Sequence, residues 1–172
     1  MRRSHFNSKK TVFLALCAAF ALILSYVETL IPPLFSSVPG IKMGLANIAI
    51  VFVLYRFGVR EAAAVSFVRL TMSMLLFGNP IIFIYSAAGA FLSLAVMALL
   101  RRLDLFSTVG VSVAGAVMHN LGQILTAMFL LETAALGYYM LVLTVTGTVS
   151  GIFVGLCGAL LIKRFGDLGG RL

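Results

Sequence analysis

Long, nearly uninterrupted apolar runs decide what this chain can fold into. Six follow one another, at residues 11–31, 43–57, 61–77, 80–100, 109–131 and 137–162. Crossing ~30 Å of hydrocarbon takes ~20 apolar residues at a helical rise of ~1.5 Å. The second and third runs are short for that, so they either begin inside the flanking loops or sit where the bilayer is locally thin. A water-facing alternative has too little polar surface to build on. The chain is 62% hydrophobic and 10% charged, with mean hydropathy +1.13, whereas a soluble domain carries ~25% charged residues. The expectation is an all-α integral membrane protein: one compact six-helix transmembrane bundle spanning residues 1–172 as a single domain in a lipid bilayer.

The punctuation between the runs fits helices. Pro32-Pro33 ends the first, because proline lacks the donor a continuing helix needs and crowds the preceding turn. Gly58 and Gly78-Asn79-Pro80 mark tight turns. The basic N-terminus resembles the start of a signal peptide, but the apolar run behind it is longer than the ~7–15 residues of a signal core. It reads as a retained first membrane helix. Cys17 and Cys157 both fall inside apolar runs and are expected as buried free thiols.

The net charge is +8, and its distribution speaks for membrane orientation rather than nucleic-acid binding. Arg2, Arg3, Lys9, Lys10, Arg56, Arg60, Arg101, Arg102, Lys163, Arg164 and Arg171 fall on one side of the expected bundle. Lys42 falls on the other, and Arg69 lies inside a run. The positive-inside rule puts both termini in the cytoplasm and the stretch from Glu28 to Asn47 outside.

Polar groups inside the runs need partners, because an ionisable side chain at membrane depth costs on the order of several kcal/mol. Arg69 is mid-run, with Ser66 and Ser73 on the same helical face. Glu28, near the outer end of the first helix and roughly 7 Å shallower at 1.5 Å per residue, is its expected protein partner. The pair either locks two helices or contacts a ligand. His119, Asn120 and Gln123 lie within five residues of an otherwise apolar helix. His119 and Gln123 share a face with Ser112 and Gly115, and Asn120 is turned by about 100°; they line a cavity or join helices. Lys42 and Asn47 suit an anionic ligand group at a helix start, or Lys42 snorkels to the interface. Glu132 reads as a loop charge, and Glu61 and Asp104 as neighbours of basic residues. In the last run Gly147, Gly151, Gly155 and Ala159 form one flat face, and Ala15 and Ala19 a weaker one on the first helix. Such faces let helix backbones approach closely, within the bundle or against a partner.

Several chemistries have no residues to carry them. No phosphate loop ending in Gly-Lys-Ser/Thr is present, so no ATPase motor resides here. No Ser-His-Asp or Cys-His constellation stands out. The five acidic residues are scattered, with no paired aspartate-rich motif to hold Mg²⁺ against a diphosphate. One intramembrane histidine without ligand spacing argues against a metal. No catalytic residue, metal or cofactor is expected.

Three stretches carry a resemblance: Pro39-Gly40-Ile41-Lys42-Met43-Gly44-Leu45-Ala46-Asn47, Leu76-Phe77-Gly78, and Gly115-Ala116-Val117-Met118-His119-Asn120-Leu121-Gly122-Gln123. Together they resemble the Gx transporter family, also labelled heptaprenyl diphosphate synthase component I, across nearly the whole chain. That family is similar to the substrate-binding S components of energy-coupling-factor transporters. The resemblance implies a six-helix protein binding a vitamin-like small molecule from outside and docking to an energy-coupling transmembrane subunit with two ATPases. Ala15 and Ala19 would form the docking face, and residues 32–41 a lid. Glu28, Lys42, Asn47 and Arg69 are then the candidates for recognition or gating, with His119, Asn120 and Gln123 lining the same cavity. The synthase label fits poorly with so few, scattered carboxylates. It would leave the chain at most a membrane accessory to such a synthase; the alternative reading is a membrane accessory of isoprenoid or quinone metabolism, or of flavin-linked membrane electron transfer.

Overall fold

A computed structural model describes residues 8–30 and 44–165. The expected lid at residues 32–41, Lys42, and the cations Arg2, Arg3 and Arg171 lie outside the described residues. Within them every regular element is helical: α1 (Ser8–Leu30), α2 (Asn47–Arg56), α3 (Val59–Phe77), α4 (Pro80–Leu103), α5 (Thr108–Leu130), a 3-10 helix (Ala134–Tyr139) and α6 (Met140–Phe165). Four stretches are long and apolar enough to cross a membrane: α1, α4, α5 and the continuous segment Ala134–Phe165. The other two helices are of a different kind. The 10 residues of α2 reach only about 15 Å, and the 19-residue α3 carries Arg60, Glu61 and Arg69.

Successive helices run in opposite directions. Lys10 of α1 meets Glu61 of α3 at 2.5 Å, and the Tyr26 and Phe77 rings pack 5.4 Å apart at the far ends of the same two helices. Phe13 near the start of α1 lies against Phe52 and Phe57, at the end of α2. Arg101, in the last turn of α4, donates Nη1 to Leu54 O and Nη2 to Tyr55 O at 3.1 Å. The described cations at helix ends, Lys9, Lys10, Arg56, Arg60, Arg101, Arg102, Lys163 and Arg164, therefore share one end of the bundle.

The core is built around α2. Seven consecutive residues, Ile48–Leu54, are buried, so this helix is enclosed on every side and accordingly apolar all round. Against it pack Ala18, Ala62, Val65, Met97, Val111 and Val154 from the five other helices. Cys17 and Cys157, both free and half-buried, lie at its margin. A second cluster, Tyr85, Ile124, Ala127, Leu136 and Leu143, fills the opposite end between α4, α5, the 3-10 helix and α6.

Glycines set the closest helix approaches. A Cβ on Gly151 would lie 2.6 Å from Val113 Cα, and one on Gly155 would lie 2.7 Å from Val109 Cα. The glycine face of α6 is thus spent against α5. Its last turn departs from the expected register: Gly158, not Ala159, is the buried residue, and it meets Val51 of α2. Between α4 and α5, Gly89 lies against Gly122, where a Cβ on the latter would sit 2.9 Å from Gly89 Cα.

Candidate functional site

Two helical stripes face each other across the α1–α3 contact. On α1 the buried positions are Ala18, Ala21, Ser25 and Glu28; on α3 they are Ala62, Val65, Ser66, Arg69 and Leu70. Each repeats at three or four residues, the spacing of one inward face. Arg69 therefore points into the bundle by register, not by exception, and is 6% exposed.

Its surroundings differ from the expected pairing. Arg69 Nη1 donates to Ser25 Oγ at 3.2 Å, and Ser25 is completely buried. Glu28, one turn further along α1, acts on Arg69 through its charge but does not hydrogen-bond it. Instead Glu28 Oε1 accepts the backbone N–H of Leu45 at 2.8 Å. That bond gives Glu28 a structural task. The turn at Gly44 (φ +80°) leads into α2, whose N-cap Ala46 supplies no side-chain bond. A carboxylate from α1 fills the gap and places negative charge at the positive end of the helix. Asn47 is the first residue of α2, half-buried, with its side chain folded back over Gly44.

Two of the three guanidinium nitrogens of Arg69, Nε and Nη2, have no hydrogen-bond partner among the described residues, and neither has Ser73 Oγ. Ser73 is one turn beyond Arg69 on the same face of α3. Buried donors left in this way cost about 1–3 kcal/mol each, more when charged. The α1–α3 junction thus contains unused donor capacity.

The polar trio of α5 is divided between two neighbours. Gly89 of α4 leaves room for the His119 ring and the Gln123 stem: a Cβ there would lie 3.2 Å from His119 Cε1 and 2.9 Å from Gln123 Cγ. Asn120 turns the other way and donates Nδ2 to Leu143 O of α6 at 2.9 Å. It joins helices where α6 carries Gly147 to admit it. Glu28, Ser25, Leu45 and Arg69 thus cluster around the α1–α3 contact, while His119 and Gln123 sit at the α4–α5 contact. Ala15 and Ala19 are exposed on the outer side of α1 beside Val12 and Leu16, and Lys42 lies outside the described residues.

Sequence reading missed Ser25 and the Leu45 amide. Ser25 had a signal, since it falls three residues before Glu28 on the same stripe. The amide had none.

No curated protein and no solved structure matches the chain. The family model for heptaprenyl diphosphate synthase component I matches residues 17–161, a stretch running from near the middle of α1 almost to the end of α6 and containing every residue of the cluster around Arg69. The chain belongs to the heptaprenyl diphosphate synthase component I family.

Proposed function

We propose that this chain is a membrane-embedded binding subunit for uptake of a small, vitamin-like molecule, energised by partner ATPases through a shared transmembrane subunit. The observation that carries this reading is Arg69, a buried cation whose Nε and Nη2 donors find no partner among the described residues. A purely structural arginine would be expected to have its fork filled by carbonyls or carboxylate; one kept incomplete suits a group that arrives from outside. His119 and Gln123, at the α4–α5 contact, and Lys42 and Asn47 are assigned to ligand recognition in this reading as further polar groups. Clustering of the described cations at one end supports an orientation with both termini in the cytoplasm of a cell membrane and the Gly44 turn outside. The exposed Ala15/Ala19 face of α1 suits close docking to the coupling subunit. The chain is itself non-catalytic in this reading.

The family's name supports a second reading, a membrane accessory of isoprenoid or quinone metabolism beside a soluble prenyl diphosphate synthase; an accessory of flavin-linked membrane electron transfer is the other alternative. One experiment separates the two. A tagged full-length chain, isolated gently from its own host's membranes, is expected to bring down two ATPases and a membrane scaffold, and Ala15→Trp to lose them. Recovery of a soluble prenyl synthase or a flavoprotein in their place would overturn the uptake reading.

A further inference from the structure

We infer that Arg69 is the anchor for an oxoanion, a carboxylate or phosphoryl group, bound through two parallel hydrogen bonds to its Nε/Nη2 edge. The inference rests on the binding-subunit reading and specifies its ligand chemistry. A guanidinium presents its donors on edges, and the one formed by Nε–H and Nη2–H matches the spacing of two oxygens on one carbon or phosphorus atom. Here the third nitrogen, Nη1, is fixed to Ser25 Oγ, and Nε and Nη2 are the two without partners among the described residues. Ser25 therefore orients the fork while leaving its two-pronged edge unused. Ser73 Oγ, also without a partner among the described residues, lies one turn along α3 on the same face and supplies a third donor.

The electrostatics select an anion but not an arbitrarily charged one. Glu28 acts on Arg69 from the neighbouring helix while held in place by Leu45 N–H. It partly offsets the buried positive charge and keeps the ligand-free bundle tolerable in a medium where an isolated charge is costly. A point cation such as lysine would attract any anion; the fork demands two coplanar oxygens.

Thermal unfolding of the full-length chain in detergent tests this with acetate, inorganic phosphate and inorganic diphosphate, each compared with chloride at matched ionic strength. At least one oxoanion should raise Tm saturably, by ~2 °C or more over chloride. Saturation separates binding from the general, non-saturating effect of salting-out anions. Arg69→Lys, which keeps a charge but has no fork, should lose the saturable part, and Ser73→Ala should weaken it. A response to acetate alone assigns a carboxylate; a response to phosphate or diphosphate alone assigns a phosphoryl group. Wild-type protein that responds to none of the three beyond chloride overturns the inference, whatever the variants do, as does an undiminished response in Arg69→Lys. A neutral or cationic small molecule retained in native mass spectrometry removes the oxoanion anchor but leaves the uptake reading standing. Oxoanion binding together with co-purification of a soluble prenyl synthase keeps the anchor and removes uptake.

Discussion

At the scale of single residues, Arg69 and Glu28 divide the work expected of an ion pair. The arginine is oriented by a serine, and the carboxylate is held by a backbone amide. Their charges still feel each other, which makes Glu28→Gln informative. A glutamine Oε1 can keep accepting the Leu45 N–H, so the start of α2 should survive, but the negative charge beside the fork is gone. The ligand-free protein should unfold at lower temperature, because Arg69 loses its only described compensating charge. The stabilisation by a saturating oxoanion should grow, because the incoming anion no longer meets repulsion. Thermal unfolding with and without acetate or phosphate reads both effects; a smaller anion-induced shift in the variant would count against the geometry described. Arg69 was legible in the sequence because a charge in the middle of an apolar run stands out at once. Its true contact was not. A serine in a membrane helix is unremarkable until a partner is opposite it, and a backbone amide leaves no mark in the sequence at all.

Among elements, the glycine contacts are where packing is least forgiving. Between α5 and α6 a methyl group on Gly151 would sit 2.6 Å from Val113 Cα and 3.1 Å from Ala116 Cβ. Neither atom can rotate away, so the helices themselves must part. Gly151→Ala is expected to destabilise the bundle by about 1–3 kcal/mol, seen as a lower unfolding temperature or less folded protein recovered from membranes. Gly137→Ala is the matched control, since a Cβ there meets Met128 Cε at 3.7 Å and Sδ at 4.0 Å, the movable end of a flexible side chain. Equal stability of the two variants would remove the argument that the glycine face is set by backbone approach. Helix ends marked by turn chemistry were readable in advance: Asn79 caps α4 through Ile81 N–H and Pro80 occupies its first turn. Other ends were not. The second apolar run begins at Met43 with no break in hydropathy, yet a turn with Gly44 at φ +80° precedes α2, which begins only at Asn47. Conversely α4 runs past the apolar stretch to Leu103, because Arg101 and Arg102 end the lipid-facing surface but not the helix. Hydropathy follows the solvent, and the helix follows its hydrogen bonds.

For the molecule as a whole, α2 determines why a short helix belongs in a bundle of long ones. At about 15 Å it cannot bring its own ends to both membrane surfaces. Its N-terminus is met inside the protein by Glu28, and its C-terminal carbonyls by Arg101, whose guanidinium also lies over the Tyr55 ring at 5.4 Å. A carboxylate at one end and a guanidinium at the other are the charges that complement a helix dipole, and each is borrowed from a longer neighbour. This arrangement fixes a polarity for the bundle: the Glu28 and Gly44 end opposes the end where Arg101 gathers with the other described cations. If cations stay with the cytoplasm, the two ends differ in access. In a background with Cys17 and Cys157 replaced by alanine, Glu132→Cys should react with a membrane-impermeant maleimide on intact cells. Leu105→Cys, 78% exposed in the connection between α4 and α5, should react only after the cells are opened. Labelling in the reverse order would place the Glu28 and Gly44 end, the one nearer Arg69, toward the cytoplasm, and a ligand taken from outside would not meet that end first.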